Sequence, residues 1–201
     1  MRVLIADDES IIRMGLRRVL EDQGHHVVAA AGDGEQAVEL ALRSHPDLAI
    51  LDVKMPLLNG LEAARRIFDH HHCAIILLTA YSDRAFVDAA RELPIMAYLV
   101  KPVREAELLA TCAVAVERFG EWQALQEQVT DLREAMAVRE LVERAKKTLM
   151  ARLGLTERDA FLSIQRQSRD RRQTMRRTAE SILSEEPGAT PQLDRSDADS
   201  V

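Results

Sequence analysis

The sequence predicts an α/β protein: a doubly wound, five-stranded parallel sheet, followed by a helical connector and a small three-helix unit. Three observations carry that reading. Five apolar runs of strand length recur within the first 100 residues, stretches with helical spacing separate them, and beyond Ala106 the strand-length runs cease while helical spacing continues to Ser184. Apolar strands without polar alternation, each followed by an amphipathic helix, need cover on both faces, which a parallel sheet flanked by helices provides.

The strands are expected at Val3-Leu4-Ile5-Ala6, His26-Val27-Val28-Ala29-Ala30, Leu48-Ala49-Ile50-Leu51, Ala74-Ile75-Ile76-Leu77-Leu78 and Ile95-Met96-Ala97-Tyr98-Leu99. Helical spacing is plainest in Ile11, Ile12, Leu16, Val19 and Leu20 and in Ala37, Val38, Leu40 and Ala41, with turn residues at the joints. Pro94 stops the helix before the fifth strand. From Ala106, Gly120 alone interrupts the helical composition before Gly154, so the last helix of the α/β domain is expected to run on past it. Trp122, Leu125, Val129, Leu132 and Met136 follow at alternating steps of three and four, a seam about two heptads long. It predicts a short coiled coil pairing two copies; the alternative is a helix packed back on the α/β domain. Three further helical patterns close the fold: Leu141, Val142, Ala145 and Leu149, ended by Gly154; Ala160, Phe161 and Ile164; and Met175, Ala179, Ile182 and Leu183. Thr156 is the expected N-cap of the second, with Asp159 in the place of a capping-box Glu. The expected boundaries are 1–119 for the α/β domain, 120–139 for the connector, 140–184 for the helical unit, and 185–201 for an acidic tail too poor in apolar residues to fold.

Composition bounds the function classes. At 201 residues the chain exceeds a single domain of roughly 100–150 residues, and 47% hydrophobic against 30% charged residues is enough for a core. No apolar run approaches the roughly 20 residues of a bilayer span, and MRVLIADDES turns acidic too early for a secretory signal, so a cytoplasmic protein is expected. Cys73 and Cys112 are too few for a disulfide framework and lie in apolar surroundings. In His70-His71-His72-Cys73, adjacent side chains on an extended segment diverge, and no second ligand pair has metal-site spacing; the run reads as a loop.

The net charge of -6 hides a division. Residues 1–143 carry 15 Lys+Arg against 24 Asp+Glu, residues 144–177 carry 11 against 3, and residues 178–201 carry 1 against 6. A basic segment inside an acidic chain points to a polyanion partner for that segment, or to a solvated helix face.

Doubly wound sheets bind ligands beyond the carboxyl ends of their strands. Asp7 and Asp8, with Glu9 behind them, stand at the end of the first run, Asp52 at the end of the third, Thr79 at the end of the fourth, and Lys101-Pro102 just after the fifth. Each alone reads as a cap or loop residue. Together, three carboxylates on one edge repel one another unless a hard divalent cation, typically Mg²⁺, sits between them. A lysine ammonium and a threonine hydroxyl opposite them suit a transferred phosphoryl group, with Asp52 as its nucleophile.

Through Asp7-Asp8, Asp52-Val53-Lys54-Met55-Pro56 with Asn59-Gly60 behind it, Thr79-Ala80 and Tyr98-Leu99-Val100-Lys101-Pro102, residues 1–119 resemble the receiver domains of two-component response regulators, whose fold is flavodoxin-like. The resemblance implies phosphorylation of Asp52 by a sensor histidine kinase. It implies Mg²⁺ held by Asp8, Asp52 and the carbonyl of Lys54 with help from Asp7, a phosphoryl contact from Lys101, and a cis peptide before Pro102. It implies a switch in which Thr79 moves toward the aspartyl phosphate while Tyr98 turns into the vacated space, resetting the face of the fourth helix and fifth strand. Such a protein is a stoichiometric phosphoacceptor with at most slow self-dephosphorylation, not an enzyme. Glu92-Leu93-Pro94 departs from the family's common glycine turn.

A DNA-reading helix-turn-helix would need a tight turn before a second helix, yet Phe161-Leu162-Ser163-Ile164-Gln165 continues into Arg169-Asp170-Arg171-Arg172 without a glycine. Residues 139–184 instead resemble the ANTAR family of RNA-binding antitermination modules, through Arg139, Ala145-Lys146, Leu149-Met150, Gly154-Leu155-Thr156-Glu157, Asp159-Ala160-Phe161, Ile164, Arg166, Ser168, Met175 and Ala179-Glu180. Lys147, Gln167 and Arg169 depart from its pattern. The likeness implies binding to paired hairpins in leader RNA, so that a competing terminator cannot form. With no aromatic platform expected, the candidate contacts are Lys146, Lys147, Arg166, Arg171, Arg172, Arg176 and Arg177. The rival outputs are a DNA-binding regulator and a protein-interaction regulator without nucleic acid.

Overall fold

The structure is a computed structural model and describes residues 1–80 and 95–184. The helix stop expected at Pro94, the fourth helical segment before it and the acidic tail lie outside those residues. In chain order the elements are β1 (Arg2–Ala6), α1 (Ser10–Asp22), β2 (His26–Ala31), α2 (Gly34–Ser44), β3 (Leu48–Asp52), α3 (Gly60–His70), β4 (Ala74–Thr79), β5 (Ile95–Val100), α4 (Glu105–Leu153), α5 (Glu157–Asp170) and α6 (Met175–Ser184). Each of the five apolar runs is a strand.

All strand pairs are parallel, in the order β2-β1-β3-β4-β5. Winding reverses between β1 and β3, which opens a crevice at their carboxyl ends. Alternate residues of the central strands feed two apolar layers. Leu4, Ala49, Leu51, Ile75 and Leu77 pack with Ala37 and Ala41 of α2 and Ala63, Ala64 and Ile67 of α3. Val3, Ile5, Leu48, Ile50, Ile76 and Leu78 pack on the opposite face with Leu16 and Leu20 of α1 and Leu108, Cys112 and Ala115 of α4. Every residue of β3 and β4 is buried, which is why these strands show no polar alternation.

Local chemistry fixes the helix starts beside the crevice. Asp33 caps α2 by accepting from Gln36 N at 2.8 Å, and Asn59 caps α3 by accepting from Glu62 N at 2.9 Å. Gly60 has no room for a side chain: a Cβ there would stand 2.0 Å from the carbonyl oxygen of Asp52. Its N–H donates to Val53 O at 3.0 Å, so the turn after Asp52 folds tightly under α3.

The chain divides into two compact units, Met1–Leu125 and Gln126–Val201. No break separates a connector from the first helix of the second unit, because α4 is a single helix of 49 residues that passes through Gly120. Trp122 belongs to the first unit, stacked on Phe119 at 5.8 Å and edge-on to Phe68 at 5.3 Å. Of the rest of the expected seam, Leu125, Leu132 and Met136 are open at 57%, 63% and 64% exposure, and Val129 is partly buried.

In the second unit Val142, Ala145 and Leu149 of α4, Ala160 and Ile164 of α5, and Ala179 and Ile182 of α6 form the core. Gly154 ends α4 at φ 62°, its N–H donating to Met150 O. Thr156 caps α5, accepting from Asp159 N at 3.2 Å, while its hydroxyl donates to the Asp159 carboxylate at 2.7 Å. Phe161 departs from the expected core pattern and is 42% exposed, because Ala160 and Ile164 already fill the inner face of this short helix. Among the described residues no helix is long and apolar enough to cross a membrane.

Candidate functional site

The acidic pair, the middle aspartate and the lysine expected on one edge do meet there. Asp7 follows β1 and is fully buried, Asp52 closes β3 at 5% exposure, and Asp8 is exposed. One oxygen from each of the three carboxylates lies within 4.8 Å of the others. Lys101 reaches the pocket from the end of β5, held beside β4 by its N–H on Thr79 O at 2.9 Å. Its Nζ lies 2.7 Å from Asp7 Oδ2 and 3.0 Å from Asp52 Oδ2, with Glu9 Oε1 farther off at 3.9 Å. The buried Asp7 Oδ2 thus has the Lys101 ammonium as its charged partner. The Lys101–Pro102 peptide is cis.

Burial pushes the Asp52 carboxyl pKa up and Asp7 adds repulsion, against the hydrogen bond and charge of Lys101 and the backbone N–H of Lys54. Burial pulls the Lys101 ammonium down, but its contacts with Asp7 and Asp52 outweigh this and hold it above its ordinary value. Thr79 is buried at the end of β4. Tyr98, half-buried against the α2–α3 layer, pairs in register with Leu77, two residues before the Thr79–Val100 pair. Burial raises its phenol pKa.

Two parts of this pocket were not singled out from the sequence. Arg13 of α1 donates to the carbonyls of both Asp7 and Asp8, clamping the acidic turn against the helix. Glu9 N donates to Asp7 Oδ1 at 2.9 Å, which fixes the Asp7 carboxylate. An arginine five and six residues past an acidic pair is a weak pattern, since many surface arginines stand at such distances.

The seven basic candidates of the second unit divide. Lys147 on α4, Arg166 on α5, Arg171 and Arg172 in the α5–α6 turn, and Arg177 on α6 are exposed, and their side chains make no ion pair among the described residues. Lys146 contradicts its reading as a surface contact. Its side chain is 8% exposed, and its ammonium donates to Glu143 at 2.9 Å and to Glu157 at 2.7 Å, joining α4 to α5. Arg176 is exposed but engaged, with Glu180 at 3.0 Å and Glu134 at 3.3 Å.

Residues 3–113 match the family model of the response regulator receiver domain, and residues 130–183 match that of the ANTAR domain. The chain belongs to the response regulators that join a receiver to an ANTAR domain. Transcriptional regulatory protein PdtaR of Mycobacterium tuberculosis is 49% identical over 182 residues, 90% of this chain and 89% of that protein. Protein CcdB of Bacillus subtilis is 37% identical over 109 residues, 54% of this chain and 91% of that protein. Among solved structures, the receiver domain of AraT from Geobacillus stearothermophilus shares the fold with a TM-score of 0.55 at 36% identity, covering 61% of this chain and 97% of that one. This response regulator therefore joins a phosphorylatable receiver to an output of the RNA-binding, antitermination class.

Proposed function

We propose that a cognate sensor histidine kinase phosphorylates Asp52, and that the phosphorylated receiver enables the ANTAR domain to hold paired hairpins of leader RNA against a competing terminator. One observation carries the reading: Lys101 bridges Asp52 and Asp7 in a pocket where three carboxylates converge. The donor set is all oxygen, with one oxygen from each of three carboxylates converging, which fits a hard divalent ion. Asp7, Asp8, Asp52 and the carbonyl of Lys54 would hold Mg²⁺, which when bound neutralises oxygens of the transferred group. An Asp52 carboxylate oxygen attacks phosphorus as the P–N bond to the donor imidazole breaks. Lys101, already 3.0 Å from that carboxylate, takes a phosphoryl oxygen and keeps its charge there. Thr79 and Tyr98 then act as the switch pair.

For RNA we retain Lys147, Arg166, Arg171, Arg172 and Arg177 as phosphate contacts, and assign Lys146 and Arg176 to holding the helices together. The receiver takes residues 1–119, the connector 120–139, the RNA-binding domain 140–184 and the tail 185–201. The exposed Leu125, Leu132 and Met136 support pairing of two copies along α4, and the protein acts in the cytoplasm as a regulator without turnover chemistry.

Binding to hairpin RNA and to duplex DNA, with and without a small phosphodonor and Mg²⁺ at fixed salt, tests the proposal. RNA-selective binding should tighten on phosphorylation and fail to tighten in Asp52→Ala. Neutralising Arg171 and Arg172 together should weaken RNA binding and flatten its salt dependence by about 0.7–0.9 in log–log slope per lost phosphate contact. Equal affinity for both nucleic acids, or for neither, would defeat the RNA reading.

A further inference from the structure

At the end of the sheet opposite the phosphorylation pocket, two imidazoles meet. His45 follows α2 and His71 follows α3, on the turns that lead into the neighbouring strands β3 and β4. Their Nδ1 atoms lie 3.5 Å apart, with ring centroids at 5.0 Å and planes crossing at 74°. A good hydrogen bond between nitrogens spans about 3.0 Å, so this spacing is loose for one. It suits two ligands of one ion, because nitrogens about 2.0–2.1 Å from a tetrahedral metal stand roughly 3.4 Å from each other.

Two further features prepare the pair. His71 Nε2 lies 2.8 Å from Pro46 O. A carbonyl can only accept, so Nε2 carries the proton and Nδ1 of the neutral ring turns its lone pair toward His45. Metal-binding histidines characteristically make such an outer hydrogen bond, which sets tautomer and ring orientation. His45 sits at φ 45° as the cap of α2, its N–H on Ala41 O at 2.9 Å, in a left-handed position that usually takes glycine or asparagine. The neighbouring histidines are otherwise engaged: His70 Nδ1 bonds Arg66 O at 2.9 Å, and the His72 ring packs on Phe68 at 4.6 Å.

We infer that His45 and His71 form a two-ligand site for a borderline divalent transition-metal ion of the Zn²⁺ class, its remaining positions open to water. Imidazole nitrogen favours Zn²⁺, Ni²⁺ and Cu²⁺, whereas Mg²⁺ prefers oxygen. The two ends of the receiver thus sort ions by softness. A bound ion ties the carboxyl end of α2 to that of α3, and His72, next in the chain to His71, lies 6.4 Å from the Trp122 ring.

Calorimetric titration of the full chain with Zn²⁺ in saturating Mg²⁺ tests the site, since Mg²⁺ occupies the carboxylate pocket. One equivalent should bind, with affinity lowered about tenfold or more in His45→Asn and in His71→Gln and unchanged in His70→Gln and Asp52→Asn. Asparagine tolerates the left-handed backbone and glutamine can still donate to Pro46 O, so both variants should fold, which circular dichroism verifies. Quenching of Trp122 fluorescence by Cu²⁺ should follow the same pattern. No Zn²⁺ binding below millimolar concentration, full affinity in His45→Asn or His71→Gln, or equal loss in His70→Gln would overturn the assignment. Phosphorylation and RNA binding are read separately, so their failure would not touch it.

Discussion

Lys146 Nζ donates to Glu157 Oε1 at 2.7 Å, from near the carboxyl end of the long α4 helix to the first turn of α5. Glu143, one turn before Lys146, takes the same ammonium. The hydrogen bonds that Lys146 donates to Glu157 and then to Glu143 hold its pKa above its ordinary value. The cation therefore orders the joint between two helices. Lys146→Met should lower the melting temperature of the helical signal by circular dichroism. Lys147→Ala, at an exposed position, should change stability by no more than about 0.5 kcal/mol. It should weaken RNA binding without moving the melt; the opposite ordering would return Lys146 to the RNA surface.

Asp52 carries a raised pKa because burial disfavours its charge. A carboxyl raised in the folded state contributes stability below its unfolded pKa and loses it as pH climbs through the folded value. At pH 7 without metal, ionised Asp52 is thus a liability. Asp52→Asn should melt above the wild type in EDTA at pH 7. That advantage should shrink as pH falls toward about 4, and should close in saturating Mg²⁺, which stabilises the wild type more. A variant less stable than wild type in EDTA would contradict this account.

Gly60 is placed where only hydrogen fits, with Asp52 O at 2.0 Å and Asp52 C at 2.8 Å from an added Cβ. Both contacts are backbone, so neither can swing aside. Gly60→Ala should cost about 1–3 kcal/mol in chemical denaturation. It should also slow phosphate incorporation, because the displaced backbone carries the nucleophile. Normal labelling kinetics would mean that the turn relaxes independently of Asp52.

Cys73 and Cys112 are buried thiols whose pKa values are pushed up to about 12, by burial first and, for Cys73, by Asp47. The neutral form is favoured in the fold, so their contribution to stability falls as pH rises through the ordinary thiol range toward about 12. A thiol reagent at pH 8 should label neither residue in the native protein and both after denaturation. Rapid native labelling would show that one layer of the sheet opens.

The α/β half was legible because its signals are local and redundant. A strand buried on both faces must be apolar throughout, and Ala74-Ile75-Ile76-Leu77-Leu78 can hardly be anything else. The pocket was legible for a related reason. Asp7, Asp52, Thr79 and Lys101 each follow an apolar run, and parallel strands place every such residue on one edge. Arg13 gave no comparable signal, since its partners are main-chain carbonyls whose direction depends on how the turn folds.

Elsewhere the outcome depended on rotation and proximity. Lys146 and Lys147 are chemically identical neighbours, but one step along a helix turns a side chain by about 100°. One ammonium is drawn into the joint and the other is left in water. Phe161 belongs by composition to the core, yet Ala160 and Ile164 take the inner face of its helix and leave it outside. His45 and His71 are 26 residues apart in the chain, and become neighbours only because β3 and β4 do. By itself the sequence determined the strands, the sheet edge that collects the carboxylates, and the division into an acidic and a basic half, since these follow from pattern and order along the chain. Only the tertiary structure decided which charges are free, which are paired and which distant imidazoles meet, because packing sets those distances.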